Sequence, residues 1–350
     1  MSSSVISLPT LNLEQAGLSA GGRAQFLGQL RETARSLGFF YLTGHGIKAD
    51  LISDVLRLSR SFFDLPEADK LSIQMINSPQ FRGYNRAGLE HTRGKPDWRE
   101  QVDIGPEQPA RPIDYKAPPW TRLQGPNQWP KALPQLKPVL LRYQDEVTKL
   151  GIRLTETVAE ALGQKPDVFA PIYTPAPNQL LKIIRYPGRE AAAGNQGVGA
   201  HKDSGFVTIL LQDKVGGLQV EGPDGWIDAP PVPGTFIVNI GELLEMASGG
   251  YLRANVHRVV SPPAGGDRLS VAFFLGARLD ATVPQLTLPA HLAAQVRSVS
   301  NDPLNPLFRE VAKNYLKSRL RSHPDVARKH HADLLEPKDR EGAPVPASAY

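Results

Sequence analysis

Between Gln179 and Ala277 the chain breaks into short β-rich runs separated by Gly, Pro and Asp, and this texture constrains the fold more than any other feature. The runs are Leu180 to Tyr186, Val207 to Gln212, Leu218 to Glu221, Thr235 to Ile240, Asn255 to Val260 and Leu269 to Leu275. Strands so short and so regularly punctuated predict an antiparallel sandwich or jelly roll. Helical stripes precede them. Phe26, Leu27, Leu30, Ala34 and Leu37 form one, ended by Gly38, after which Phe39 to Leu42 reads as a buried strand. Leu51, Val55, Leu58 and Phe62 form a second helix ending before Pro66. A long helix from about Gln135 to Leu162, with Leu136, Leu140, Val147, Leu150, Leu154 and Val158 on one side, is expected to back the sheet.

The remaining segments carry weaker patterns. Ile104 to Pro134 holds eight prolines and two of the four tryptophans without periodicity, so it reads as an extended excursion over the surface. Pro306 to Leu320 is expected to be helical, and Arg321 to Tyr350 a partly disordered polar tail in which His330 and His331 are solvated.

Composition narrows the chemistry. The chain has no cysteine, which removes disulfides, thiolate metal sites, iron–sulfur clusters and cysteine nucleophiles together, so any metal must be held by His, Asp or Glu. Its 40 basic residues are scattered among 35 acidic ones without a long basic block, which argues against nucleic-acid binding despite a net charge of +5. No apolar run is long enough to span a bilayer. Met1 to Ala20 lacks the pattern of a secretory signal, so a cytoplasmic location is expected. A monomer acting on a small molecule is the expected assembly.

In Gly199-Ala200-His201-Lys202-Asp203 the His and Asp stand two apart, so on an extended strand both side chains point to one face. His257 lies 54 positions after Asp203, within another β-pattern, where Asn255, His257 and Val259 share a face. Two imidazoles and one carboxylate form a facial triad that leaves open positions on iron(II). The same ligands also suit zinc and hydrolysis, so the triad alone does not name the metal. Arg268-Leu269-Ser270 follows His257 by eleven residues, and on a strand Arg268 and Ser270 face one way. A guanidinium fork and a hydroxyl can grip one carboxylate through charge-assisted hydrogen bonds, which fits an acidic co-substrate.

These residues and their surroundings resemble the 2-oxoglutarate-dependent iron(II) dioxygenases of the isopenicillin N synthase-like group. The resemblance rests on His201 through Asp213 with Gly217 to Val220, on Tyr251 through Val259, and on Arg268 to Phe274. It extends to Gly38 through Leu42, Gly44 to Ile47 and Gly125 to Pro130, and so covers most of residues 5 to 280. It implies an α+β fold, mainly β with flanking helices, whose core is a double-stranded β-helix (a cupin-like jelly roll) backed by a long helix. The expected organisation is one catalytic unit in four parts. Residues 1–134 form an N-terminal helical and strand region, 135–176 a backing helix and connection, 177–280 the iron(II)- and 2-oxoglutarate-binding core, and 281–350 a C-terminal helix and polar tail.

The resemblance also implies that iron(II), 2-oxoglutarate and dioxygen together oxidise a small organic substrate, yielding succinate and carbon dioxide. Hydroxylation, desaturation and cyclisation all remain open. So do an iron oxidase that dispenses with 2-oxoglutarate, as in isopenicillin N synthase itself, and a non-catalytic binding module. His201, Asp203 and His257 are the expected metal ligands, Arg268 and Ser270 the carboxylate clamp, and Tyr186 and Lys182 further co-substrate contacts. Phe206 and Phe274 are candidate pocket walls. Asn85 and Arg86 lie in the region that approaches the pocket mouth in this group, which suggests a polar or acidic substrate. His45, between two glycines, is expected to shape a turn.

Overall fold

The computed structural model describes residues 7–17, 19–92, 94–112, 114–190, 194–299 and 305–335. In chain order the described strands are β1 (Thr10–Asn12), β2 (Phe39–Thr43), β3 (Gly83–Asn85), β4 (His91–Thr92), β5 (Lys95–Pro96), β6 (Glu100–Ile104) and β7 (Gln179–Pro187). They continue with β8 (Gln196–His201), β9 (Val207–Gln212), β10 (Leu218–Gly222), β11 (Gly225–Asp228), β12 (Phe236–Ile240), β13 (His257–Val260) and β14 (Asp267–Leu275). The helices are α1 (Ala20–Ser36), α2 (Ala49–Phe63), α3 (Glu67–Leu71), α4 (Leu136–Ala161), α5 (Ala170–Tyr173), α6 (Glu242–Ala247), α7 (Ala290–Ala293), α8 (Val311–Ser322) and α9 (Pro324–His330). None is long and apolar enough to cross a membrane.

A major sheet runs in the order β1-β2-β12-β9-β14-β7-β6-β3, and a minor sheet in the order β11-β10-β13-β8. The period-two alternation of the major strands sorts their side chains between two cores. Leu269, Val271, Phe273 and Leu275 of β14 join Val207, Ile209 and Leu211 of β9, and Phe236, Val238 and Ile240 of β12, in a large apolar core. That core also contains the buried stripes of α1, α2 and α4. The opposite faces of the same strands carry Tyr186, Ile184, Ile237 and Ala272 into a smaller core shared with Val198, Leu218, Val220 and Val259 of the minor sheet. The space between the two sheets is therefore apolar in part, and the chemistry is set into that gap.

The six β-runs expected from the sequence all appear as strands. Two minor-sheet strands, β8 and β11, are additional, and β3 and β6 from the N-terminal region extend the major sheet beyond the jelly-roll core. The C-terminal expectation needs correction. Residues 321–335 are not a solvated tail: α8 is followed directly by α9, and His331 is fully buried, stacked on Phe81 at 5.0 Å with Nε2 bonded to the Pro79 carbonyl oxygen. His330 bonds the Ile76 carbonyl oxygen at 2.9 Å. The rest of that expectation, residues 336–350, lies outside the described residues.

Candidate active site

His201 closes β8 and His257 opens β13, and the two residues are direct partners in the antiparallel register of the minor sheet. Their rings are 4.3 Å apart between centroids. Each imidazole holds its Nδ1 against the carbonyl oxygen two residues upstream, Gly199 for His201 at 2.8 Å and Asn255 for His257 at 3.2 Å. This fixes the ring orientations and leaves both Nε2 atoms for a shared ion. Asp203 is not on the strand. It sits in the turn after β8, so the turn rather than strand alternation brings it beside His201. Its Oδ1 lies 3.5 Å from His201 Nε2 and 3.7 Å from His257 Nε2.

The second carboxylate oxygen is occupied by the major sheet. Thr208 Oγ1 donates to Asp203 Oδ2 at 2.6 Å and Asn239 Nδ2 donates to it at 2.8 Å. Thr208 and Asn239 are themselves register partners on β9 and β12. The turn is seated against Gly241, where an added Cβ would stand 2.2 Å from the Gly205 carbonyl oxygen, and the Glu242 N–H donates to the Asp203 carbonyl oxygen at 2.8 Å. One ligand from each of three segments, each held by a second contact, makes a preorganised three-point site. Its ligating atoms all fall within 4.8 Å of one another.

Charge follows from this packing. Burial opposes the Asp203 carboxylate, but the two imidazoles and the Thr208 hydroxyl outweigh it and hold its pKa below the usual range. Burial, reinforced by the neighbouring His201, lowers His257 to about 4. Burial also works against the His201 imidazolium, but there the Asp203 carboxylate prevails and the pKa is raised. A carboxylate and a neutral imidazole are ligand-ready forms.

Across the gap, β14 presents Arg268 and Ser270 on the face turned to the triad. Arg268 is fully buried, and its guanidinium meets neutral groups: Ser270 Oγ at 3.4 Å, Gln212 Oε1 at 2.8 Å and the face of the Tyr186 ring at 4.9 Å. Its Nε has no partner among the described residues. A buried cation without a carboxylate is costly unless a ligand supplies one. An inner cavity of about 60 Å³ joins it to the triad, with Tyr186, Ser270 and Phe274 also in its lining. The donor set fits a hard-to-borderline divalent ion such as iron(II), and the orphaned guanidinium fits the distal carboxylate of 2-oxoglutarate.

An outer cavity of about 130 Å³ opens from the His201 and Asp203 side of the triad. Phe274 lines both. Lys182 lines only the outer one, and it is set apart from the clamp: its ammonium lies 3.2 Å from Glu90 and 3.6 Å from Asp103. Arg319 of α8 pairs with Asp103 at 2.7 Å, and Arg99 pairs with Glu90 at 2.8 Å. Although burial opposes their ionisation, Arg99 and Lys182 depress the pKa of Glu90, while Lys182 and Arg319 depress that of Asp103.

Three expected pocket residues lie elsewhere. Phe206 leaves the ligand turn toward the helices, where it meets Phe169 at 5.4 Å and Tyr173 at 5.7 Å in the large core. Asn85 is buried against His323 Nδ1 and the Met75 sulfur, and Arg86 is half-exposed on Glu67. Neither Asn85 nor Arg86 lines the cavities. His45 accepts the Ile47 N–H within its turn. Sequence reasoning missed Thr208, Asn239 and Gln212, whose signal was a polar residue on the inward side of an apolar strand. It also missed Glu90 and Arg319, which had none, whereas Arg99 lies in the stretch Trp98 to Glu100 that the family resemblance placed near the pocket mouth.

Similarity to known proteins agrees with this geometry. Residues 8–132 match the family described as non-haem dioxygenase in morphine synthesis N-terminal, and residues 177–277 match the 2OG-Fe(II) oxygenase superfamily. A 2-oxoglutarate-dependent dioxygenase, frbJ, of Dothideomycetidae sp. is 38% identical, covering 92% of this chain and 91% of its own. A homoarginine-6-hydroxylase of Arabidopsis thaliana is 36% identical over 76% of this chain and 81% of its own. Among solved structures, a full-length Neurospora crassa protein in complex with alpha-KG superposes with a TM-score of 0.69 at 27% identity, covering 82% of this chain and 90% of that one. The chain belongs to the 2OG-Fe(II) oxygenase superfamily and is an oxidoreductase of the 2-oxoglutarate-dependent dioxygenase kind.

Proposed function

We propose that His201, Asp203 and His257 hold the iron(II), that Arg268, Ser270 and Tyr186 anchor 2-oxoglutarate, and that the outer cavity takes a small substrate bearing ionic groups. The observation that carries the reading is the fully buried Arg268 guanidinium, lacking a carboxylate and facing the triad across one cavity. Bound there, iron(II) with 2-oxoglutarate and dioxygen supplies oxidative decarboxylation, giving succinate and carbon dioxide, coupled to oxidation of a substrate C–H bond.

The chain's own part is positioning. Gly199 and Asn255 set the two imidazoles, while Thr208 and Asn239 reserve one oxygen of Asp203 and leave the other for the ion. Gln212 and Ser270 hold the guanidinium plane in place, and Tyr186 covers its face. Apolar Val198, Leu210, Leu218 and Val259 line the inner cavity and exclude water from it. The outer wall differs in kind. Glu90, Arg99, Lys182 and Arg319 present both charge signs, and although they pair with one another and with Asp103, a neutral apolar molecule would strip their remaining hydration and offer no polar contact in return. A small zwitterion or acid satisfies them, and the homoarginine named for the Arabidopsis relative has this character.

Lys182 accordingly belongs to the substrate side rather than the co-substrate clamp. We further take the enzyme to be a cytoplasmic monomer acting on a small molecule rather than nucleic acid. Its 40 basic residues interspersed with 35 acidic ones support the last point, and light scattering and cell fractionation test the others. The main test is succinate release from 2-oxoglutarate across a panel of small molecules. Amino acids and organic acids are expected to stimulate it, and Glu90→Gln to raise the KM of the best of them about tenfold. Stimulation by neutral apolar compounds alone rejects the substrate class.

A further inference from the structure

A third cavity, of about 400 Å³, shares no lining residue with either of the two at the triad. It lies between the 3-10 turn Pro119–Leu123, the segment entering β7 at Gln179 and the residues Arg278 to Asp280 that follow β14. Arg82 reaches it from the lead-in to β3. The residue is 5% exposed, and its guanidinium is packed so tightly on Gly105 that a Cβ there would stand 2.1 Å from Arg82 Cζ. Among the described residues that guanidinium makes one hydrogen bond, from Nη2 to the Leu123 carbonyl oxygen at 3.3 Å, and its Nε has no partner.

Two further polar atoms in the same lining, Gln108 Oε1 and Gln179 Oε1, are also buried without partners. Buried polar groups are nearly always satisfied, so three orphans in the residues of one lining are unusual, and small turns of these side chains would let them meet an occupant. The other cation there is already engaged, because Arg278 Nε donates to Asp280 Oδ1 at 2.9 Å. One unpaired guanidinium selects a single negative charge. Beside the polar Gln124 and Asn178, the other walls are apolar, formed by the Trp120 indole with Pro106, Pro175 and Leu279. Either end of each glutamine amide can face inward to meet a carboxylate oxygen or a ring substituent.

We propose that this cavity is a second ligand site, separate from the catalytic centre, for a small planar organic acid of one negative charge. Its carboxylate meets Arg82 and its ring lies among Trp120 and the prolines. Burial and the nearby Arg319 lower the Arg82 pKa to about 10 against the opposing pull of Asp103, Tyr315 and Glu107, none of which forms an ion pair with it, and this still leaves it charged near neutrality. A monoanion would offset the cost of that burial.

The test titrates 4-fluorobenzoate into the full chain loaded with zinc(II) and 2-oxoglutarate, followed by fluorine NMR. Saturable binding is expected, weakened at least ~10-fold in Arg82→Gln, the order of one charge-assisted contact. Neutral 4-fluorobenzamide is expected to bind far more weakly than the acid. Trp120 lines this cavity and not the catalytic one, and it is partly exposed, so Trp120→Leu preserves the fold and decides the matter where Arg82→Gln does not fold. Its affinity is expected to fall about fivefold. Absence of saturable binding, equal binding of acid and amide, or an affinity unchanged in Trp120→Leu overturns the proposal.

Discussion

Thr208 and Asn239 show how a residue that need not touch the ion can set its affinity. Both hold Asp203 Oδ2 and leave Oδ1 facing the imidazoles. Thr208→Val or Asn239→Leu is expected to weaken iron(II) binding about 10- to 100-fold, read by anaerobic titration with 2-oxoglutarate present. Unchanged affinity would show that the carboxylate keeps its place without them. Arg268→Lys retains the charge but loses the fork, so the KM for 2-oxoglutarate should rise roughly tenfold or more while the substrate KM stays close to its original value. The proposed triad and clamp could be picked out because the surrounding motifs matched a family, the His-x-Asp and Arg-x-Ser spacings being common by themselves. Thr208 and Asn239 were not, since a lone polar residue in an apolar strand says nothing of its partner until the two strands pair. Asn85 was misplaced for the same reason, since the faces of a three-residue strand are assigned by its neighbour β6, which sequence alone does not identify, and Arg86, just past that strand, turns out to Glu67.

Helix α8 supplies one wall of the outer cavity, bringing Tyr315, Ser318, Arg319 and Ser322 to it, and α9 packs against α8. The sequence announced α8 as a helix over 306–320, whereas α9 and the burial of His323 and His331 were not legible, because histidine contacts to distant carbonyl and amide groups carry no periodic signal. His323 joins the two helices, with Nδ1 against the Asn85 amide nitrogen at 3.1 Å and Nε2 against Arg319 at 3.4 Å. Burial lowers its pKa to about 4; Arg319 and Lys182 act in the same direction, while Glu90 and Asp103 oppose it. The folded value lies below the usual 6.5, so the unfolded chain binds the proton first. Stability from this neutral histidine is full above about pH 6.5 and declines toward pH 4, by up to about 3 kcal/mol. Amide exchange in α8 and α9 should accelerate over that window, and His323→Gln should flatten the dependence. An exchange rate in these helices that ignores pH, after correction for intrinsic chemistry, would contradict this. The strands were the reverse case: alternation and punctuation announced them, with errors of a residue or two at their ends.

Two sheets meet at the centre, the minor one supplying both histidines and the major one supplying the clamp and the props of Asp203. Iron held by the proposed ligands would tie the minor sheet to a turn held by the major one, and its binding is expected to stabilise the whole fold. At iron concentrations near 100 times Kd the gain is about 3 kcal/mol. Chelation should lower Tm by several degrees, and the drop should vanish in His257→Ala. The helix-side core carries the larger share of stability: Phe273→Ala, in a fully buried position, should cost about 3–5 kcal/mol without altering the ligand atoms. The overall architecture was legible from the β-texture with one long backing helix. The addition of β3 and β6 to the major sheet was not, because that pairing joins residues about eighty positions apart through a segment with no periodic signal. The placement of α8 and α9 has a consequence for biosynthesis. They follow the β core in the chain, so a ribosome releases the barrel that binds metal before it releases the wall that encloses the substrate. A nascent barrel charged with iron in that interval would expose its oxidising centre to water and to its own polypeptide, and the order of manufacture favours a protein that acquires iron last.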